Sequence, residues 1–167
     1  MIYYITGGER SGKSRYAMEL ALKLSGNPVY IATARQWDKD FQKRIDRHKS
    51  ERDERWQNIE EEKNLSNLEL KGQVAVMDCI TLWLTNFYAD TKHNVEESLT
   101  QAKNEFDKFT QQDFTLIVIS NEIGMGVHAD SEIGRKFVEL QGWINQYIAN
   151  KADKAILMVS GLPLTLK

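Results

Sequence analysis

The chain has 167 residues, of which 41% are hydrophobic and 28% charged, and this composition fits one globular domain with a sizeable core. A net charge of −2 argues against a broad surface for nucleic acid or anionic membranes, and the single cysteine, Cys79, excludes an intrachain disulfide. No apolar stretch is long enough for a signal peptide or a membrane span, so we expect a cytoplasmic protein.

The chain begins with a pattern of strand, glycine-rich loop and helix. Ile2–Ile5 is a β-branched and aromatic run that predicts a buried strand, and apolar residues recur at helical spacing from Ala17 to Leu24. Between them, the sequence Gly7-Gly8-Glu9-Arg10-Ser11-Gly12-Lys13-Ser14 fits the pattern G-x-x-x-x-G-K-[ST] without a mismatch. The alternative is a glycine-rich turn that matches by chance, but the spacing and context favour a phosphate-binding loop (P-loop).

The chemistry of this loop follows from its residue types. Glycines let backbone N–H groups close around phosphate oxygens, and the N-terminus of the following helix adds its positive dipole end. Lys13 would reach the β and γ phosphates, and the Ser14 hydroxyl would ligate Mg²⁺. The loop therefore predicts binding of a nucleoside triphosphate.

Strand-like and helix-like segments alternate along the rest of the chain. Four further runs predict strands: Val29–Ala32, Val74–Met77, Phe114–Ile119 and Ala155–Val159. Helical stripes join Val95, Leu99, Ala102, Phe106 and Phe109, and then Ile133, Phe137, Leu140, Ile144 and Ile148. The charge-rich stretch from Asp38 to Lys63 predicts a helix plus a loop. The pattern indicates an α/β protein with a mostly parallel central sheet covered by helices on both faces.

Two segments at predicted strand ends carry further chemistry. Asp78 ends the third strand, where an acidic residue in a P-loop protein commonly helps to hold Mg²⁺ or its water. The alternative is an N-cap of the next helix, which is compatible with the metal role. Asn121–Gly126 follows the fourth strand and should face the same crevice as the P-loop, because ligands of open α/β sheets bind outside the carboxyl ends of the strands. An ordinary strand-to-helix connection is the alternative for this second segment.

His48 is a candidate nucleophile or proton-transfer group. Trp37, Phe41, Ile45 and His48 follow one another at steps of four, four and three, which would place the histidine on one helix face among Arg and Lys residues. Neighbouring cations would lower its pKa and keep the imidazole neutral, as a nucleophile requires. From these features alone, however, a solvated or packed helical histidine is the favoured interpretation.

Taken together, the motifs resemble those of one family, the bifunctional adenosylcobinamide kinase/adenosylcobinamide-phosphate guanylyltransferases of cobalamin biosynthesis. The resemblance runs in the right order over nearly the whole chain, and its N-E-x-G-M-G block is far more specific than the P-loop. The segments that carry it are Ile5–Arg15, Tyr30–Ala34, Arg44–His48, Asp78–Leu84, Asn121–Gly126 and Ser160–Leu164.

The resemblance implies two reactions on one domain spanning residues 1–167. A nucleoside triphosphate, GTP or ATP, phosphorylates adenosylcobinamide, and GTP then transfers GMP to adenosylcobinamide phosphate through a guanylylated histidine. His48 occupies the matching position, so the resemblance reverses the interpretation given above. It also implies nucleotide contacts from Gly7, Gly8, Glu9, Arg10, Ser11, Gly12, Lys13, Ser14, Thr33, Ala34, Arg35, Lys49, Ser50, Glu51, Arg52, Glu60 and Asp78. Mg²⁺ would be held at Ser14 and Asp78.

The resemblance further implies a RecA-like P-loop NTPase fold and a homotrimer. The sequence leaves two alternatives to the bifunctional enzyme. One is a small-molecule kinase that uses the P-loop but not His48, and the other is a nucleotide-dependent binding module or nucleic-acid motor. The mild negative charge and the lack of a basic stripe speak against the motor.

Overall fold

The computed structural model describes residues 1–35 and 52–167 of the chain. In these two ranges the strands are β1 (Ile2–Gly7), β2 (Val29–Ala32), β3 (Gln57–Glu60), β4 (Val74–Asp78), β5 (Thr115–Ile119), β6 (Lys154–Val159) and β7 (Leu162–Thr165). The helices are α1 (Lys13–Leu24), α2 (Ile80–Asp90), α3 (Val95–Phe109) and α4 (Glu132–Lys151), and a short 3-10 turn spans Leu65–Asn67.

The strands form one sheet in the order β3-β2-β4-β5-β1-β6-β7. All neighbouring pairs are parallel except β6 and β7, which pair antiparallel at one edge of the sheet. Near-continuous apolar runs such as Leu116–Ile119 are buried on both faces, as parallel strands require. The predicted mostly parallel α/β sheet is therefore confirmed.

Helices cover both faces of the sheet. On one face, Ala17 and Ala21 of α1 pack against Ile5, Val76 and Ile117. On the other face, the apolar sides of α2, α3 and α4 pack against alternate strand residues, and they include Trp83, Phe87, Ala102, Phe106, Leu140, Ile144 and Ile148. The two helical stripes predicted from periodicity thus form the larger core, with one exception. Ile133 lies in the first turn of α4, and 51% of its surface is exposed.

Two strands escaped prediction. β3 lies inside the charge-rich stretch for which a helix plus a loop was predicted, and the part of that stretch before Arg52 lies outside the described residues. Ile59 is the only apolar residue of β3, so its strand conformation comes from backbone pairing with β2 and not from a hydrophobic pattern. β7 contains Pro163 and is exposed throughout, as befits an edge strand.

Within the two described ranges, the structure has no helix that is both long and apolar enough to cross a membrane.

Candidate active site

The predicted site residues follow the ends of neighbouring strands at one edge of the sheet. The pairing register places Glu60 beside Ala32, Ala32 beside Asp78, and Asp78 beside Ile119. β5 lies between β4 and β1, and β1 ends at Gly7. Because the carboxyl ends of parallel strands lie at the same edge, the sheet brings together groups that are far apart in the sequence.

The P-loop joins β1 to α1 through a turn that packs against backbone. Gly7 (φ +153) and Gly12 (φ +95) adopt conformations that side chains disfavour, and a Cβ at Gly7 would lie 2.6 Å from the Met158 carbonyl oxygen. The Ser11 carbonyl accepts a hydrogen bond (2.9 Å) from the N–H of Gly161, in the turn between β6 and β7. Contact with this hairpin therefore sets the course of the loop.

The polar groups of the loop suit a phosphate ligand. Gly8, Glu9 and Arg10 are exposed, whereas Ser11 is buried and its hydroxyl has no hydrogen-bond partner among the described residues. Lys13 is only 7% exposed, and its Nζ donates to the carbonyl oxygen of Gly8 at 2.6 Å. Burial lowers the pKa of Lys13, and nearby acidic groups that include Glu9 oppose this shift. A cation and an unsatisfied hydroxyl are groups that bind phosphate oxygens.

Asp78 connects β4 to the P-loop through one carboxylate oxygen. Its Oδ2 accepts hydrogen bonds from the Ser14 hydroxyl (3.2 Å) and from the Tyr30 hydroxyl (2.6 Å). The N-cap of α2 is Cys79, without a side-chain capping bond, so Asp78 does not serve as the N-cap. Ser14 and Asp78 thus form a pair of oxygen donors of the kind that Mg²⁺ prefers.

The segment after β2 is held by protein contacts. Thr33 is fully buried, and its hydroxyl donates to the backbone carbonyl at the N-cap of α2 (2.8 Å). Ala34 is half-buried beside it. The Arg35 guanidinium donates to Glu62 (2.7 Å) and to Asp90 (2.8 Å). The position of the segment is therefore well defined, and its contact with GTP stays a prediction.

Arg52 begins the second described range. Its guanidinium carbon lies 3.7 Å from the centroid of the Tyr30 ring, and its Nε donates to Asn58 Oδ1 at 2.6 Å. Glu60 is exposed at the end of β3. The remaining predicted residues of this part of the site lie outside the described residues: His48, Lys49, Ser50 and Glu51. Their roles stay predictions.

The segment from Asn121 to Gly126 begins beside the P-loop. The Asn121 side-chain amide donates to the Thr81 hydroxyl (2.9 Å), which ties the end of β5 to the first turn of α2. The backbone N–H of Glu122 donates to the Gly7 carbonyl oxygen (3.1 Å). The segment therefore starts at the crevice that its position after β5 predicts.

Sequence reasoning missed Tyr30 at this site. Its run is predicted as a strand and matches a family motif, but no role is assigned to the Tyr30 hydroxyl, although a buried tyrosine needs a partner for its hydroxyl. That need was a usable signal, but no sequence pattern identifies Asp78, 48 positions further on, as the partner.

Fold and loop geometry together define the class of protein: it is a P-loop NTPase. A solved structure of this class, an ATPase from the type III secretion system of pathogenic bacteria, superposes with a TM-score of 0.56 and 8% sequence identity. The match covers 98% of this chain and 56% of that one. At so low an identity, the similarity shows the fold alone.

Within this class, sequence comparison identifies the family. The model of the cobinamide kinase / cobinamide phosphate guanyltransferase family matches residues 3–166. The bifunctional adenosylcobalamin biosynthesis protein CobP of Pseudomonas aeruginosa is 35% identical over 98% of this chain and 95% of its own length. CobU of Escherichia coli, named in the same way, is 31% identical over 100% of both chains. The chain belongs to the cobinamide kinase / cobinamide phosphate guanyltransferase family, which confirms the resemblance drawn from its motifs.

Proposed function

We propose that this protein catalyses both reactions of its family on one nucleotide-binding domain. It phosphorylates adenosylcobinamide with GTP or ATP and then converts adenosylcobinamide phosphate to adenosylcobinamide-GDP. The observation that carries the proposal is the family match over residues 3–166, which includes the P-loop, His48 and Asp78 in one chain. We further propose a cytoplasmic homotrimer, in keeping with the family resemblance.

The kinase step is an in-line phosphoryl transfer. The aminopropanol hydroxyl oxygen of adenosylcobinamide attacks the γ-phosphorus, the bond from that phosphorus to the β,γ-bridging oxygen breaks, and a nucleoside diphosphate leaves as the hydroxyl proton is released. The P-loop amides and Lys13 would stabilise the charge on the phosphate tail. The burial of Lys13 supports this role because an ammonium exerts a stronger field where water is excluded.

The second step transfers a nucleotidyl group through a covalent intermediate. An imidazole nitrogen of His48 attacks the α-phosphorus of GTP, the bond from that phosphorus to the α,β-bridging oxygen breaks, and pyrophosphate leaves. A phosphate oxygen of adenosylcobinamide phosphate then attacks the same phosphorus, which breaks the phosphorus–nitrogen bond and regenerates His48. The intermediate lets one nucleotide site serve a large acceptor that arrives later.

The remaining site residues would bind and orient GTP. Ser14 and Asp78 would hold Mg²⁺, since their oxygens are hydrogen-bonded to each other at 3.2 Å beside the P-loop. When bound, Mg²⁺ neutralises charge on the phosphate tail. Beyond the P-loop, the proposed nucleotide contacts come from Thr33, Ala34, Arg35, Lys49, Ser50, Glu51, Arg52 and Glu60.

Labelled GTP tests the covalent step directly. We expect GTP labelled at the α-phosphate to leave an acid-labile label on the protein, and GTP labelled at the γ-phosphate to leave none. His48→Ala should abolish the label because no nucleophile remains. His93→Ala, which changes an exposed histidine at the end of α2, is the matched control and should label normally.

The same assay separates the alternatives. If the α-label never attaches while cobinamide is still phosphorylated, the guanylyltransferase proposal fails and a plain kinase remains. Lys13→Ala should impair nucleotide binding for both reactions, because one phosphate-binding loop is proposed to serve both. Normal guanylylation in this variant would require a separate GTP site.

A further inference from the structure

Tyr30 lies between two groups of residues that the proposed function uses separately. It is in β2 and only 3% exposed, and its hydroxyl donates at 2.6 Å to Asp78 Oδ2. The same oxygen accepts from Ser14 at 3.2 Å, whereas Asp78 Oδ1 accepts no hydrogen bond from the described residues. The hydroxyls of Tyr30 and Ser14 therefore share one carboxylate oxygen of Asp78.

The ring of Tyr30 makes a second, independent contact. The Arg52 guanidinium carbon lies over the ring face at 3.7 Å from its centroid, and Trp56 meets the ring edge-on at 6.1 Å with an interplanar angle of 82°. Arg52 is also held by Asn58 at 2.6 Å, but its buried Nη1 has no hydrogen-bond partner among the described residues. Stacking on an aromatic face restricts a guanidinium while leaving its N–H groups free to donate.

Burial makes the hydroxyl of Tyr30 a dependable donor. The side chain is 3% exposed, so water does not compete for the hydroxyl, and Asp78 Oδ2 at 2.6 Å is its hydrogen-bond acceptor. A phenol hydroxyl donates to an ionised carboxylate, and this bond restricts the orientation of Asp78.

We propose that Tyr30 is a positioning residue that couples the P-loop to Arg52. Its hydroxyl orients Asp78 on Ser14, and its ring holds the guanidinium of Arg52, four residues after His48 in the sequence. This inference rests on the proposed function, in which Ser14 and Asp78 bind Mg²⁺ and Arg52 contacts GTP. The hydroxyl accordingly serves both reactions, and the ring serves the transfer of GMP.

Two substitutions separate these roles. Tyr30→Phe removes the hydroxyl and keeps the ring, so we expect the Mg²⁺ concentration that half-saturates binding of a fluorescent GTP analogue to rise about tenfold. Tyr30→Leu removes the ring as well, so the rate of α-label attachment should fall by about a further fivefold relative to Tyr30→Phe. Binding is measured at equilibrium by fluorescence, independently of turnover.

Combination with Arg52→Ala tests the ring contact. Arg52→Ala should slow α-label attachment in the wild-type and Tyr30→Phe backgrounds. It should slow attachment little further in Tyr30→Leu, where the stacking is already lost. Equal effects in all three backgrounds would overturn the ring half of the proposal.

Tyr147→Phe is the matched control for the hydroxyl. The Tyr147 hydroxyl also donates to a carboxylate, Asp107, at 2.6 Å, but in the contact between α4 and α3. Tyr147→Phe should lower the free energy of unfolding and leave the Mg²⁺ dependence of GTP-analogue binding unchanged. If Tyr30→Phe behaves in the same way, Tyr30 is only structural and the hydroxyl half of the proposal fails. If the wild-type protein never takes up the α-label, the proposed function fails, and the Mg²⁺ dependence of binding still tests the hydroxyl.

Discussion

At the scale of single residues, two adjacent glycines of the P-loop have different physical roles. Gly7 combines a φ of +153 with a site where a Cβ would lie 2.6 Å from the Met158 carbonyl oxygen and 2.7 Å from Ser11 Oγ. A Cβ on Gly8 would meet nothing within 4 Å, and its φ is not positive. The motif itself does not distinguish these two positions, because only the fold brings Met158 against the loop.

We therefore expect Gly7→Ala and Gly8→Ala to differ in stability. Gly7→Ala forces either the loop or β6 to move and should lower the free energy of unfolding by about 2 kcal/mol or more. Gly8→Ala should change it by less than about 0.5 kcal/mol. Urea denaturation followed by circular dichroism measures both values. Equal losses in the two variants would contradict the packing of the loop against β6.

At the scale of elements, a buried polar network joins α4 to the residues that directly follow β5. Asn145 of α4 accepts from the Ser120 hydroxyl (2.6 Å) and from the Gln141 amide (2.8 Å), and it donates to the Asn121 carbonyl oxygen (3.1 Å). The bonds to Ser120 and Asn121 lie directly before Glu122, whose backbone N–H donates to the P-loop at Gly7. Helical periodicity identified the apolar residues of α4 but not this network, because polar residues at an inward position carry no hydrophobic signal.

Removing the centre of this network should weaken both the helix and the loop. Asn145→Ala removes the acceptor of the buried Ser120 hydroxyl and the donor to the Asn121 carbonyl oxygen, whereas the Gln141 amide keeps its bond to Ser120 Oγ at 3.1 Å. We expect a loss of about 2–3 kcal/mol in unfolding free energy. Faster hydrogen exchange in residues 121–126 should accompany it. Asn150→Ala, at an exposed position of the same helix, is the control and should change little. Unchanged exchange would show that α4 does not hold the segment.

At the scale of the whole molecule, a charged cluster joins the end of β2 to the end of α2. Asp90 accepts from Arg35 (2.8 Å) and from Lys63 (2.7 Å), and these two hydrogen bonds lower the pKa of Asp90 from 3.8 to about 2. A carboxylate whose pKa is lower in the folded state stabilises the fold above its unfolded pKa. This stabilisation is present above about pH 4 and is lost as the pH falls to about 2.

Asp90→Asn should remove this pH dependence. Because the Asp90 side chain is 38% exposed, solvent screening keeps the expected loss at neutral pH below about 1 kcal/mol. The variant and the wild type should converge in stability as the pH falls from 4 to 2, as measured by urea titrations at several pH values. Asp113→Asn, at an exposed carboxylate, serves as the control. A constant difference between Asp90→Asn and the wild type across this range would contradict the ion pair.

Local patterns in the sequence were sufficient to predict much of the fold and part of the candidate site. The P-loop, the five apolar strands and the helical stripes each depend on residues within about 20 positions, so spacing and periodicity identify them. The family resemblance likewise rests on short motifs in order. Even the meeting of the Asn121–Gly126 segment with the P-loop followed in outline, because parallel strands present their carboxyl ends together.

Only the tertiary structure decided the contacts between distant residues. It determined that Asp78 accepts from Ser14 and Tyr30, that Arg35 is held by Glu62 and Asp90, and that β3 and β7 are strands. These features depend on which strands become neighbours. Contacts between residues that are tens of positions apart leave no local pattern in the sequence. The sequence by itself determined that the chain binds a nucleoside triphosphate through a P-loop, since that information is local, whereas strand order alone decided which side chains meet beside it.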